Sequence, residues 1–98
     1  MPNDKQFIVT NDHITLTGVI NFSNVTTIYN ESVSQLEKYT VWNFDFSNVK
    51  SSNSAALALM VEWLKLAKKS NKSIQFTHLP LDLLSIARAS GMEKLLLF

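Results

Sequence analysis

The stretch VWNFDFSNVKSSNSAALALMVEWLKLAKK, residues 41–69, decides the fold of this chain. Its first six residues alternate between aromatic and smaller side chains, which is the period of a strand with one buried face. Residues 47–53 are mostly polar and predict a loop. Residues 54–69 carry apolar side chains at helical spacing and predict an amphipathic helix. A strand, a loop and a helix in this order indicate an α/β domain.

The same two periods predict the elements on either side of this stretch. Strands are predicted at residues 7–10, 13–20 and 73–77, and helices at residues 24–38 and 81–90. Ser23 is the predicted N-cap of the first helix, and Gly91 is the predicted stop of the last. The dipeptide Asn11-Asp12 predicts a turn. The apolar residues 95–98 predict either a last short strand or a loosely packed tail.

Several strands alternate polar and apolar residues, whereas strands buried on both faces are apolar throughout. We therefore expect helices mainly on one face of a mixed sheet of four to five strands. The chain has 98 residues, two Gly and two Pro, which suits one domain over residues 1–98 without a linker.

The composition excludes several classes of function. The net charge is +1, which argues against binding nucleic acid. The nearest approach to a basic patch is Lys65, Lys68, Lys69 and Lys72, which predicts the solvated end of a helix. The chain has no Cys, so disulfides and thiolate metal sites are excluded. No apolar run approaches the roughly 20 residues of a membrane span, so a soluble protein is expected.

The helix predicted over residues 54–69 has more apolar surface than a sheet alone would cover. At about 100° per residue its apolar arc spans roughly 220°, whereas a helix that covers a core on one side needs a little over ~100°. One apolar stripe is suited to the sheet, and a second apolar sector lies beside it. The stripe consists of Leu57, Met60, Val61 and Leu64, and the sector consists of Ala56, Leu59, Trp63 and Leu66.

Two alternatives remain open for the second sector. Another helix of the same domain covers it, or a partner protein does. Trp is enriched at interface hot spots, so an exposed Trp63 would favour the partner. In that case Trp63→Ala would weaken binding and leave the domain folded, whereas an unfolded variant would place Trp63 in the core.

Residues 45–57, DFSNVKSSNSAAL, resemble the signature of STAS domains. In that family a strand ends in an acidic residue, a hydrophobe, Ser or Thr, any residue and Val. A hydroxyl residue, small residues and Leu then open a helix. The matching positions here are Asp45, Phe46, Ser47, Val49, Ser54 and Leu57. The chain is most similar to the STAS subunit of the bacterial Mla phospholipid-transport ABC complex, where a Thr and two small residues stand in place of Ser54-Ala55-Ala56.

Two positions depart from the family pattern. Asn53 stands where the family usually has Asp. Ala55 stands where anti-sigma factor antagonists carry the Ser that a kinase phosphorylates. Because Ala55 has no hydroxyl, no phosphorylation is expected there, and Ser54 is a possible but disfavoured substitute.

The resemblance implies a non-enzymatic accessory or regulatory subunit. Such a subunit would bind and stabilise the ATPase of an intermembrane phospholipid-transport ABC complex that maintains outer-membrane lipid asymmetry. It would be cytoplasmic and peripheral to the inner membrane, with no cofactor, no metal and no direct membrane insertion. The alternative is a signalling module of the anti-sigma factor antagonist type that acts by protein–protein binding. The predicted partner-binding residues are Asn53, Ser54, Ala55, Ala56, Leu59, Trp63 and Leu66.

The Ser54 position can also be interpreted from its own chemistry. It opens a helix, where free N–H groups and the helix dipole favour an oxygen acceptor or an anion. A plain N-cap by Ser54 or Asn53 and an additional partner contact by Ser54 both remain open.

Enzyme motifs are missing from the sequence. It has no glycine-rich phosphate loop and no nucleophile elbow, so a small enzyme ranks last. His13 and His78 have no partner at metal-ligand spacing and are predicted to be a strand-end and a turn residue.

Overall fold

The computed structural model describes residues 6–10 and 13–96 of the chain. Within these residues, four strands and four helices follow one another in the order β1, β2, α1, β3, α2, β4, α3, α4. Their bounds are Phe7–Thr10 for β1, His13–Ile20 for β2, Val25–Leu36 for α1, Val41–Ser52 for β3, Ser54–Lys69 for α2, Ser73–Thr77 for β4, Leu81–Ala89 for α3 and Glu93–Leu96 for α4.

The four strands form one mixed sheet in the order β1-β2-β3-β4. β1 and β2 are antiparallel, whereas β2, β3 and β4 are mutually parallel. Alternate residues in the first half of β2 and of β3 are buried, and their neighbours are half-buried or exposed. The prediction of a single α/β domain with a mixed sheet and one covered face is therefore confirmed. The buried residues of the two central strands are Ile14, Leu16, Ile20, Trp42, Phe44 and Phe46.

β3 is twice as long as predicted, because residues 47–52 continue the strand. The prediction of a loop over residues 47–53 is wrong for all but Asn53. Val49 pairs with Gly18 and Ser52 pairs with Ile20, across two register shifts in β2. Backbone pairing with a neighbouring strand holds these residues extended, and side-chain polarity does not report such pairing.

The first helix is shorter at both ends than the predicted 24–38. Its N-cap position is Asn24, not Ser23. The Ser23 hydroxyl donates to Asn21 Oδ1 at 2.6 Å, and the Asn24 side chain accepts the Asn21 N–H at 2.9 Å. These side chains stabilise the turn that leads into the helix, so neither of them caps it.

The helices α2 and α3 end in the same way. Met92 N–H donates to the Ala87 carbonyl and Gly91 N–H to the Arg88 carbonyl, at 2.8 and 3.1 Å. Gly91 has a φ of 70°, which is the left-handed residue that such a helix end requires. Asn71, with a φ of 57°, has the equivalent position after α2. The predicted stop at Gly91 agrees with this geometry.

The remaining predictions concern the ends of the chain. Part of the predicted C-terminal tail forms the short helix α4, so a last strand over residues 95–98 is wrong for the described positions. Residues 97–98 and the predicted turn at Asn11-Asp12 lie outside the described residues.

Candidate partner-binding site

The N-terminus of α2 is capped by Asn53. Its Oδ1 accepts the Ala55 N–H at 2.8 Å, and its carbonyl accepts the Ala56 N–H at 2.9 Å. Ser54 is the first helical residue. Both Asn53 and Ser54 are exposed, and the Ser54 hydroxyl forms no hydrogen bond with any residue that the structure describes. The helix end is therefore capped without using Ser54.

Ala55 and Ala56 lie on the inner side of the helix. Their exposed fractions are 0% and 1%. Side chains with this burial cannot contact a partner on the present surface. Their small size allows the first turn of α2 to approach the rest of the domain closely.

Leu59 and Trp63, which were predicted to be partner-binding residues, are buried and form no bare surface. Their exposed fractions are 3% and 0%. The Trp63 ring stacks on Phe44 of the central strand, with centroids 4.1 Å apart, and lies 6.4 Å from the ring of Phe7. The sector that contains Trp63 therefore faces the sheet and α1, and the first of the two alternatives holds.

A buried hydrogen-bond chain fixes the Trp63 side chain. Trp63 Nε1 donates to Ser32 Oγ at 2.9 Å, and the Ser32 hydroxyl donates to the Tyr29 carbonyl at 2.6 Å. Ser32 is itself fully buried in α1. A buried indole N–H needs an acceptor, and Ser32 supplies it from the neighbouring helix. No spacing rule in the sequence pointed to this pair.

A shallow groove lies between α1 and α2, and it includes Ala58, four residues after Ser54. It has a volume of about 160 Å³ and is lined by Val25, Thr26, Tyr29, Ala58, Leu59 and Glu62. Ala58 and Glu62 are exposed, and they follow Ser54 along one side of α2. Leu66, the last predicted contact residue, is half-buried.

A second polar cluster lies across the three parallel strands, with Asp45 of β3 between His13 of β2 and His78, which follows β4. Asp45 Oδ2 is 3.4 Å from His13 Nε2, and Asp45 Oδ1 is 3.2 Å from His78 Nδ1. The backbone N–H of Ser47, which donates to Asp45 Oδ1 at 2.8 Å, is the main cause of a lowered pKa of the Asp45 carboxyl. The Ser47 hydroxyl and the two imidazoles act in the same direction, against the opposing effect of burial.

On sequence alone, the two histidines of this cluster were predicted to be a strand-end and a turn residue with no relation to each other. They are 65 positions apart, and only strand order brings them to one carboxylate. The strand order could have predicted the cluster, because His13 begins β2, His78 follows β4, and Asp45 lies in β3 between these two strands. Within residues 6–10 and 13–96, no group of three His, Cys, Asp or Glu residues is arranged to hold a metal ion.

No helix in the described part of the chain is long and apolar enough to span a membrane. The structure thus defines a small α/β domain with a mixed sheet, covered on one face by helices, and a small-residue helix start after the central strand.

Comparison with known proteins identifies the family to which this chain belongs. The family model described as Mlab, STAS domain matches residues 6–97. The chain therefore belongs to the STAS-domain family, and the predicted resemblance is confirmed. A search of curated proteins found no match.

The fold is shared with solved structures, among them the following two. One is a chain of the Acinetobacter MlaFEDB complex in its ATP-bound Vtrans2 conformation, at 23% identity and a TM-score of 0.72. The match covers 88% of this chain and 92% of that chain. The other is the anti-sigma factor antagonist SpoIIAA in its unphosphorylated form, at 14% identity and a TM-score of 0.72. That match covers 94% of this chain and 84% of SpoIIAA.

Proposed function

We propose that this domain is a non-enzymatic accessory subunit that binds and stabilises the ATPase of an intermembrane phospholipid-transport ABC complex. It acts in the cytoplasm, peripheral to the inner membrane, and the complex maintains the lipid asymmetry of the outer membrane. The observation that carries this proposal is the exposed Ser54 hydroxyl at an already capped helix start. Family membership and the likeness to a chain of an MlaFEDB complex support the same assignment.

The contact surface consists of the exposed residues at the start of α2 and along its side. Asn53 and Ser54 present polar groups to the partner, and Ala58 leaves room for the partner to approach the helix closely. Leu66 extends the contact along the helix. Ala55, Ala56, Leu59 and Trp63 position this surface from beneath and do not touch the partner.

The capped geometry makes Ser54 available for this role. A Ser that caps a helix uses its hydroxyl on a backbone N–H. Here Asn53 satisfies that N–H, so the Ser54 hydroxyl is free to donate to or accept from a second chain. The dipole of α2 adds a partial positive charge beside it.

A second candidate is a signalling module of the anti-sigma factor antagonist type. The SpoIIAA match has the same TM-score as the match to the MlaFEDB chain, and this supports the second candidate. In this candidate the exposed Ser54 hydroxyl would be the group available for phosphorylation, because Ala55 has none and is fully buried. The missing hydroxyl at Ala55, the position that a kinase phosphorylates in such antagonists, makes the ATPase subunit the better assignment.

Co-purification of the tagged chain from its own host tests the assignment. We expect an ABC-type ATPase to co-purify with the wild-type chain. Ser54→Asp should abolish this, because it places a carboxylate in the contact while Asn53 still caps the helix. Ser85→Asp is the matched control, since Ser85 is an exposed residue of α3, and it should retain the ATPase.

Two outcomes contradict the proposal. Recovery of an anti-sigma factor in place of an ATPase would establish the second candidate. Full retention of the ATPase by Ser54→Asp, with circular dichroism unchanged, would show that Ser54 lies outside the contact.

A further inference from the structure

A second groove lies at the other end of α2 from Ser54. Its volume is about 540 Å³, and residues of α2, β4 and α4 line it together with Lys72 of the connecting turn. Its floor is apolar and consists of Val61, Leu64, Ala67 and Ile74, and its rim consists of Lys65, Lys68, Lys72 and Lys94. None of the described lining residues is acidic. We name this feature the lysine groove.

The apolar floor is where the surplus apolar surface of α2 lies. On sequence alone, Val61 and Leu64 were placed in the sheet-facing stripe, and what covers the sector with Leu59 and Trp63 was left open. In the structure Leu59 and Trp63 of the sector lie in the core, whereas Val61 and Leu64 of the stripe are only half-buried. The excess noted in the sequence is therefore real, and it is exposed in the lysine groove.

The four lysines are not explained by the end of the helix alone. Cations near a helix C-terminus are favoured by the dipole, which accounts for Lys68. Lys72 and Lys94 lie outside α2, yet they converge on the same groove. Four of the nine basic residues of the chain therefore rim one apolar surface.

Intramolecular partners leave this charge largely unneutralised. Lys65 is 3.4 Å from Glu62, but both side chains are more than half exposed, at 71% and 53%, and such pairs contribute little. Lys72 Nζ donates to a backbone carbonyl, that of Glu37, at 3.2 Å. The carboxylate next to Lys94, that of Glu93, pairs with Arg88 at 2.9 Å.

We propose that the lysine groove binds an acidic, apolar segment of a protein partner. The floor requires Leu- or Phe-like side chains, and a rim with four separated cations requires several carboxylates. A polypeptide that alternates the two kinds of residue satisfies both requirements, whereas a single lipid phosphate would meet only part of the rim. This surface is additional to the contact at Ser54. Lys68 is 14 residues further along α2, which corresponds to about 21 Å at 1.5 Å per residue.

Selection of peptides against the full chain tests the proposal. A phage-displayed library of random 16-residue peptides is selected on the wild-type chain and counter-selected on Lys65→Gln/Lys68→Gln. We expect the enriched peptides to carry two or more Asp or Glu residues among Leu or Phe residues. NMR shifts in the labelled chain should map the bound peptide to Val61, Leu64 and Ile74.

A matched pair of lysines provides the control. Lys38 and Lys50 are exposed and lie outside the groove. Lys65→Gln/Lys68→Gln should weaken the selected peptide about tenfold, which is the scale of lost charge pairs at an interface. Lys38→Gln/Lys50→Gln should change its affinity less than about twofold, and added salt should weaken binding to the wild-type chain.

Several results would overturn the proposal. These are a selection that enriches no sequence, enriched peptides without acidic residues, and shifts that map away from the groove. Binding of phosphatidylglycerol vesicles that displaces the peptide and is lost in Lys65→Gln/Lys68→Gln would assign the groove to a lipid surface instead. Because no ATPase is used, these outcomes are independent of the Ser54 experiment.

Discussion

Trp63 shows how one side chain connects two layers of the domain. Its ring stacks on Phe44 of the sheet, and its Nε1 donates to Ser32 of α1. It is fully buried, so it contributes apolar burial and satisfies a buried hydrogen bond at once. A substitution at this position therefore tests the core, and it does not test an interface.

Trp63→Ala should destabilise the domain by about 3–5 kcal/mol, because it leaves a large cavity between the sheet and α1. In a domain of this size that is a large part of the total stability. Urea unfolding followed by circular dichroism measures the change. An unfolding midpoint equal to that of the wild type would contradict the packing described here.

Ser32→Ala isolates the polar part of the same arrangement. The change leaves the buried Trp63 N–H without its acceptor and should cost about 1–3 kcal/mol. Made in a Trp63→Phe background, where no N–H needs an acceptor, it should cost clearly less. Equal costs in the two backgrounds, measured by urea unfolding, would show that the hydrogen bond contributes nothing.

Asn53 and Ser54 have different roles although they are adjacent. Asn53→Ala removes the side chain that caps α2 and should cost about 1 kcal/mol. Ser54→Ala should cost only a small fraction of that free energy, because the Ser54 hydroxyl caps no helix N–H. Thermal unfolding of the two variants decides between them, and a larger loss in Ser54→Ala would reverse the assignment of the cap.

At the scale of elements, the sheet brings together residues that the chain keeps far apart. His13 on β2, Asp45 on β3 and His78 after β4 meet because these strands are neighbours and parallel. The same pairing extends β3 through residues 47–52, whose side chains do not alternate. Strand neighbours are long-range contacts, so the local period of the sequence could not reveal either feature.

Asp45 should make the stability of the domain depend on pH. Its pKa in the folded domain is lowered from the ordinary value of 3.8, chiefly by the Ser47 backbone N–H. The charged form is thus favoured in the native state, and its contribution is fully present above that value and is lost as the pH falls through the native pKa. The difference in unfolding free energy between the wild type and Asp45→Asn should be largest near neutral pH. It should shrink below about pH 3.8, and a difference that does not change with pH would exclude this role.

The whole molecule presents two surfaces at opposite ends of one helix. The Ser54 end offers a capped, polar surface, and the lysine groove offers an apolar floor with a basic rim. α2 has 16 residues, and its inner side is anchored in the core by Leu59, Met60 and Trp63. A rigid helix of this kind can present two contacts without either one deforming the other.

The two surfaces should therefore respond to substitution separately. Ser54→Asp should abolish co-purification of the ATPase and leave binding of the selected acidic peptide unchanged. Lys65→Gln/Lys68→Gln should weaken binding of the peptide and retain the ATPase. Loss of both activities in either variant, with the unfolding temperature preserved, would show that the two ends form one contact.

Local pattern was sufficient for most elements of this fold, but not for the second half of β3 or for α4. The strand at residues 41–46, the helix at residues 54–69 and the one-sided sheet follow from side-chain period, because burial on one face imposes that period. The motif over residues 45–57 was also sufficient for the family. The surplus of apolar surface on α2 could be counted from its helical wheel.

The tertiary structure alone decided which side of α2 is covered. A helical wheel has no absolute orientation, so the rotation of the helix against the sheet depends on shape and on partners such as Phe44 and Ser32. Those contacts buried Leu59 and Trp63 and left Val61 and Leu64 at the surface. The same long-range packing, which no local period encodes, brought His13 and His78 to Asp45 and gathered Lys94 with the lysines of α2.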